Sequence, residues 1–385
     1  MDSKLQRYTL HENATLQQAL TAFASPVATG ARRRTCLSIV SAEGTLLRGL
    51  VSERDVVRAV LDGMHGDALV TAFMVPAERL SVLTAETFLE TDPLTLSCIM
   101  ARSGFKHLPI VASTTMPRIV GVLDSIAVAE QLSSATRAAG ALVVSMTGST
   151  KHVLVVQEGD SVATAAQRML ETRTTAAVVR RTGETHARAF GGLVTLADIL
   201  RKVPDAAAWG VTLVRAIYTP KAVCATVNMR TLKGASDYLA VLRTMASRGF
   251  RHMPVVSLTS SAKGRTKMLI CEDMLDILAC NALLTGSLPP PPDGLIVSLH
   301  SAQPVVISTA VDDACSLPDA TTEEVFPLAG DVAAAEYAQV LPPPSATTSV
   351  TGKGAPVVYI NALDFKKLAD VKTAYAAVGN GRKVR

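Results

Sequence analysis

The runs Gly49-Leu50-Val51-Ser52-Glu53-Arg54-Asp55 and Gly192-Leu193-Val194-Thr195-Leu196-Ala197-Asp198 share one pattern. Each has a glycine, two aliphatic residues, a hydroxyl, two variable places and an aspartate. The aliphatic pair suits the end of a buried strand. A hydroxyl with an acidic side chain three places on suits the N-cap and third residue of a helix. Each run therefore reads as a strand turning directly into a helix.

Two further strand ends fall in step. The matching β-like runs are Arg48–Val51, Val120–Leu123, Gly191–Val194 and Lys267–Ile270. Aligning Gly49, Gly121, Gly192 and Met268 gives steps of 72, 71 and 76 residues. That period is too long for a solenoid and fits a βαββα module occurring four times. In the first module, Asn13 is the expected N-cap of a helix over Ala14–Phe23, with strands at Cys36–Val40 and Leu46–Val51 and a helix over Ser52–Leu61. The second and fourth modules resemble each other: GFKHLPIV (Gly104–Val111) matches GFRHMPVV (Gly249–Val256), and LVTAFMVP (Leu69–Pro76) matches LVRAIYTP (Leu213–Pro220). The chain reads as a duplicated pair, with modules at 5–66, 67–138, 140–204 and 211–284. Trp209 falls near the junction of the third and fourth and is expected to pack there.

Beyond residue 284 the character changes. A Pro-rich linker is expected at 285–294, around Pro289–Pro292, and an extension of unassigned fold at 295–385. That extension contains a second proline run, Leu341–Pro344, short β-like stretches at Leu295–Leu299, Pro304–Ser308 and Pro356–Ile360, and a possible helix at Leu363–Ala377.

The 385 residues are 48% hydrophobic but only 4% aromatic, so the core must be aliphatic. No apolar run reaches the ~18 residues of a membrane helix. Residues 1–284 carry a net charge of +8 and residues 285–385 one of −3. No basic block with interleaved aromatics points to nucleic acid. The six cysteines are scattered without CxxC spacing, so no metal site is expected. No HExxH, GxSxG or complete P-loop is present, and no catalytic residue is expected.

With these motifs in register, residues 8–284 resemble the CBS-domain family, named for cystathionine β-synthase. The resemblance implies an α/β (α+β) fold of four CBS repeats, paired into two Bateman modules that pack as a disc. It implies a regulatory protein that binds AMP, ADP or ATP between paired repeats, with S-adenosylmethionine less favoured and no cofactor. The chain would act on a separate protein partner in the cytoplasm, as a monomeric disc or homodimer, without nucleic acid or membrane. An interaction scaffold with vacant clefts is the alternative.

The expected ligand residues are Ser52, Asp55, Thr195 and Asp198 from the odd modules and Lys106, His107, Arg251 and His252 from the even ones. A helix N-terminus favours phosphate, a carboxylate can accept from ribose hydroxyls, and glycine before the turn would let a ligand approach the backbone. Basic residues at similar places in the γ subunit of AMP-activated protein kinase contact phosphates. Lys106 and His107 would then serve Asp55, and Arg251 and His252 would serve Asp198. Both hydroxyl–aspartate pairs also fit simple helix caps. The second module has Ala127 where the aspartate would stand. The fourth, aligned on Met268-Leu269-Ile270-Cys271, loses glycine, hydroxyl and aspartate alike.

Overall fold

The structure is a computed structural model that describes residues 9–25, 35–44, 46–135, 153–260, 267–277, 280, 295 and 297–299. The first module contains β1 (Thr9–His11), α1 (Leu16–Ala24), β2 (Cys36–Val40), β3 (Leu47–Ser52) and α2 (Glu53–Leu61). A short strand, β4 (Val75–Pro76), leads to β5 (Ser81–Thr84), α3 (Ala85–Glu90), α4 (Pro93–Arg102), β6 (His107–Val111), β7 (Ile119–Asp124) and α5 (Ser125–Ala135). The third module has β8 (Val155–Gln157), α6 (Val162–Glu171), β9 (Ala176–Arg180), β10 (Gly192–Thr195) and α7 (Leu196–Lys202). β11 (Thr219–Pro220) then precedes β12 (Val227–Asn228), α8 (Ala235–Arg248), β13 (His252–Ser260) and β14 (Lys267–Asp276). The last described strand is β15 (Val297–Ser298).

Each module repeats one ladder: the first strand runs parallel to the second, and the second antiparallel to the third. The helix between the first two strands makes the parallel crossover possible. Both faces of the resulting sheets are covered. Leu37 and Ile39 of β2 face a core shared with helices, whereas Cys36 and Val40 face the second module's Val82, Val111 and Val122. Doubly covered strands read as continuous aliphatic runs, which accounts for the low aromatic content.

The cores show how the modules assemble. Sheets of the first and second modules pack together through Leu47, Leu50, Val75, Val111 and Ile119, and those of the third and fourth through Val178, Phe190, Val256 and Cys271. Helices join the two pairs. α1 and α2 share a core with α6, α7 and Trp209, and α5 packs on α8 through Ile126, Ala129, Tyr238 and Leu242. Trp209 is buried, as expected, and its Nε1 donates to Val203 O at 2.8 Å. The architecture is thus mixed α/β, with modules paired by sheets and the pairs joined by helices.

Two local expectations change. The first helix begins at Leu16 with Thr15 as N-cap, not at Ala14 after Asn13. Thr15 accepts from Gln18 N while Gln18 Oε1 accepts from Thr15 N, a reciprocal box that Asn13 lacks. The glycines of the two opening motifs serve the chain itself. A Cβ on Gly49 would lie 2.4 Å from Val75 O, and one on Gly192 2.3 Å from Thr219 O. β4 and β11 cross there to join the odd modules' sheets, so glycine admits a neighbouring strand.

The C-terminal stretch contributes β15, which pairs antiparallel with β5 (Val297 opposite Val82), while Leu299 N donates to Leu80 O at 3.1 Å. The expected elements at 304–308, 356–360 and 363–377 lie outside the described residues.

Candidate functional site

Both odd-module helices start as expected. Ser52 is the N-cap of α2: its Oγ accepts from Asp55 N at 2.5 Å, and Asp55 Oδ2 accepts from Ser52 N at 3.0 Å. Thr195 caps α7 in the same way, accepting from Asp198 N at 3.1 Å, while Asp198 Oδ2 accepts from Thr195 N at 3.2 Å.

Their electrostatic surroundings differ. Asp198 Oδ1 lies 2.5 Å from Arg201 Nη2 and 3.3 Å from Lys202 Nζ, both on its own helix. Asp55 is buried, and burial pushes its carboxyl up to about 7, against the lowering effect of its bonds to Ser52 and of Arg58 and Arg54. Beside it, Glu53 is 2% exposed and pairs with Arg251, 7% exposed, of the fourth module. Arg54 Nη2 donates to Arg173 O of the third module at 3.0 Å. The start of α2 therefore meets both members of the other pair.

The strand starts supply the basic residues. Thr35, Lys106, Thr175 and Arg251 each precede the first residue of a central strand. The N–H of Ser125, Leu196 and Ile277 donates to the carbonyl of Lys106, Thr175 and Arg251 at 2.8, 3.1 and 2.9 Å. This register makes Thr175-Ala176 the third module's counterpart of Lys106-His107. Across each pair the threonine meets the partner histidine. Thr35 Oγ1 is 2.8 Å from His107 Nε2, and Thr175 Oγ1 is 3.0 Å from His252 Nε2. His107 also lies 3.9 Å from Asp124 Oδ2. Burial, then Arg251 and Lys106, hold its imidazole well below the usual histidine range. His107 is therefore neutral near pH 7 and offers a phosphate no charge in this arrangement.

The structure thus brings together Ser52, Asp55, Lys106, His107 and, across the pairs, Arg251. Arg251 faces α2 of the first module, not the Asp198 helix with which the sequence grouped it.

The fourth-module alignment is corrected. His252 pairs with Asp276 as His107 pairs with Asp124 and Cys36 with Ser52. The equivalent of Gly49–Asp55 is therefore Asp273-Met274-Leu275-Asp276-Ile277-Leu278-Ala279, five places beyond the run that begins at Met268. Lys267–Ile270 has the composition of a complete strand, but the β13–β14 hairpin is longer than its counterparts and carries the motif further along. Its bulge, between Val255 and Val256, matches those between Ile39 and Val40 and between Ile110 and Val111. Both even modules then read Asp-x-x-Ala, and Asp124 Oδ1 accepts from Ile126 N at 2.6 Å.

Sequence reasoning passed over Glu53. Its equivalents, Ser125, Leu196 and Ile277, are fully buried, so a carboxylate there stands at a core position. Comparing this one column across the four modules would have exposed it. Among the described residues no cluster of His, Cys, Asp and Glu suits a metal ion. Burial raises the thiols of Cys36, Cys271 and Cys280, consistent with packing roles. No described helix is long and apolar enough to cross a membrane.

Comparison with known proteins agrees with this architecture. The uncharacterized protein MJ1225 of Methanocaldococcus jannaschii is 32% identical over 124 residues, a match spanning 30% of this chain and 36% of that protein. Its crystal structure aligns with a TM-score of 0.50 at 13% identity, covering 71% of this chain and 94% of that one. An uncharacterized conserved protein from Pyrococcus horikoshii aligns with a TM-score of 0.41 at 15% identity, over 67% of this chain and 92% of that one. Residues 4–62 and 144–205, which hold the two capping-box motifs, match the CBS domain.

Proposed function

We propose that this protein is a non-catalytic sensor of adenine nucleotides that regulates a separate protein partner. In this reading residues 5–66, 67–138, 140–204 and 211–284 are four CBS repeats, with a linker at 285–294 and an extension over 295–385. The observation that carries it is the gathering of charged groups at one capped helix start. Ser52 caps α2 and Asp55 lies in its first turn, Arg251 reaches the same turn from the other pair, and Lys106 and Arg251 both act on His107. The positive end of a helix suits a phosphate, and cations beside it add to that preference. Asp55 offers a carboxylate to ribose hydroxyls, and the aliphatic strands offer an adenine face. The relative MJ1225 has been likened to γ-AMPK, in keeping with such a ligand. Binding between modules would favour the closed arrangement and alter the surface a partner meets. Asp198, with Thr195 and His252, belongs to the proposed ligand set as the second half of the duplication.

A scaffold reading draws on Asp198, whose carboxylate is engaged by Thr195, Arg201 and Lys202. Thermal unfolding with AMP, ATP and S-adenosylmethionine separates the two. A ligand at 100 times its Kd stabilises by about 2.7 kcal/mol, a rise of about 3–5 °C for a protein of this size. No rise with any of the three at millimolar concentration sinks the sensor and leaves the scaffold.

A further inference from the structure

We propose that Glu53 is an affinity-setting carboxylate that occupies Arg251 in the unliganded protein and must give it up to an incoming phosphate. The proposal rests on the adenine-nucleotide reading above and assigns Glu53 a role in that same site.

Three observations carry it. The first is position. Glu53 stands where the other modules have Ser125, Leu196 and Ile277, all buried, so this place in the fold accepts uncharged side chains. Its partner Arg251 stands where the odd modules have Thr35 and Thr175. The second module has the basic Lys106 at that place, so Glu53 alone departs from the fourfold pattern, and it meets the basic residue of an even module. The second is energetic. A buried ion pair seldom outperforms apolar side chains of similar size, so the architecture does not require one here. The third is placement. Glu53 is the first residue of α2, between the cap Ser52 and Asp55, and the thiol of Cys36 senses Asp55, Asp124 and Glu53 together. An anion brought to this turn would meet the Glu53 carboxylate at short range and would find Arg251 already engaged.

Exchange follows from the charges. Phosphate and carboxylate are competing acceptors for one guanidinium. A phosphate that takes Arg251 must displace Glu53 or share the arginine against like-charge repulsion. Binding is then weaker than the cations alone would give, and it depends on ligand charge. A nucleoside without phosphate does not compete for Arg251 and is indifferent to Glu53.

The test is calorimetric titration of AMP and of adenosine into the full chain, as wild type, Glu53→Gln and Glu53→Asp. Glu53→Gln keeps the shape and removes the charge; Glu53→Asp draws the charge back from Arg251 and serves if the first variant fails to fold. The expected result is AMP affinity raised by about tenfold in Glu53→Gln, a modest figure for one like charge removed at short range. A smaller rise is expected in Glu53→Asp, with adenosine affinity unchanged in both. Wild type that binds AMP with no gain in either variant overturns the role of Glu53 and leaves the nucleotide reading standing. Equal gains for AMP and adenosine also overturn it, because the effect would not be phosphate competition. AMP bound by Glu53→Gln but not by wild type supports it. No binding of either probe by any of the proteins overturns the nucleotide reading and this role with it.

Discussion

The starts of α2 and α7 descend from the same motif and carry the same cap, yet they handle charge in opposite ways. At α7, Asp198 is satisfied by Arg201 and Lys202 of its own helix, side chains about a third exposed. At α2 the charges are buried and resolved between modules, with Glu53 on Arg251 and Arg54 on Arg173 O. A shared motif therefore fixes the local turn and leaves the electrostatic wiring open. That wiring depends on the variable places inside the motif, Glu53-Arg54 against Leu196-Ala197, and on the residue that another module presents to them.

The largest expected difference lies between the two arginines. Arg251→Ala strands the Glu53 carboxylate in the interior and should cost about 3–5 kcal/mol, the range for breaking a buried pair. Arg201→Ala removes a half-buried partner on the surface of α7 and should cost less than about 1 kcal/mol. Urea unfolding of both variants measures this. Equal losses would mean that the two helix starts are alike after all.

Next in size is a pH effect confined to α2. Asp55 is raised in the folded protein from the ordinary aspartate value of 3.8 to about 7. Between these values the folded state holds a proton that the unfolded state has released, so stability falls as pH rises from about 4 to about 7. Asp55→Asn cannot ionise and escapes the fall. Its stability relative to wild type should rise across that window by up to about 4 kcal/mol and then level off. The check is unfolding free energy at several pH values. A constant difference between variant and wild type from pH 4 to pH 8 would show that the carboxylate is well solvated.

Much of this was legible in the sequence, because the signals were local. Cap, strand end and proline-marked strand lie within seven or eight residues, and their repetition fixed the module and its fourfold occurrence. Cys36–Val40 is a strand with the expected bounds. What was not legible depended on contacts between distant segments. Gly49 and Gly192 looked like openings for a ligand, but the strands that fill the space are 26 to 28 residues further on, at Val75 and Thr219 or nearby. The fourth module's motif was displaced because its hairpin is longer, and only strand pairing reveals that His252 opposes Asp276. Arg251 was grouped with Asp198 by module order, whereas helix packing between pairs carries it to Glu53. Local pattern fixes a cap; only assembly decides which charge it faces.

The smallest expected difference lies at the seams within the pairs. Thr35 and Thr175 are both buried, and each bonds the Nε2 of the neighbouring even-module histidine. Valine preserves the shape of threonine and removes the hydroxyl. At Thr35 the partner His107 is fully buried, so loss of this bond is not made good by solvent and should cost about 1–2 kcal/mol. At Thr175 the partner His252 is half-buried, and water can replace the hydroxyl at a cost of a few tenths to about 1 kcal/mol. Unfolding of Thr35→Val and Thr175→Val measures the contrast. A larger loss at Thr175 would mean that hydration is not what separates the seams. The asymmetry first seen at the helix starts would then be confined to α2 rather than shared by the whole of the first pair.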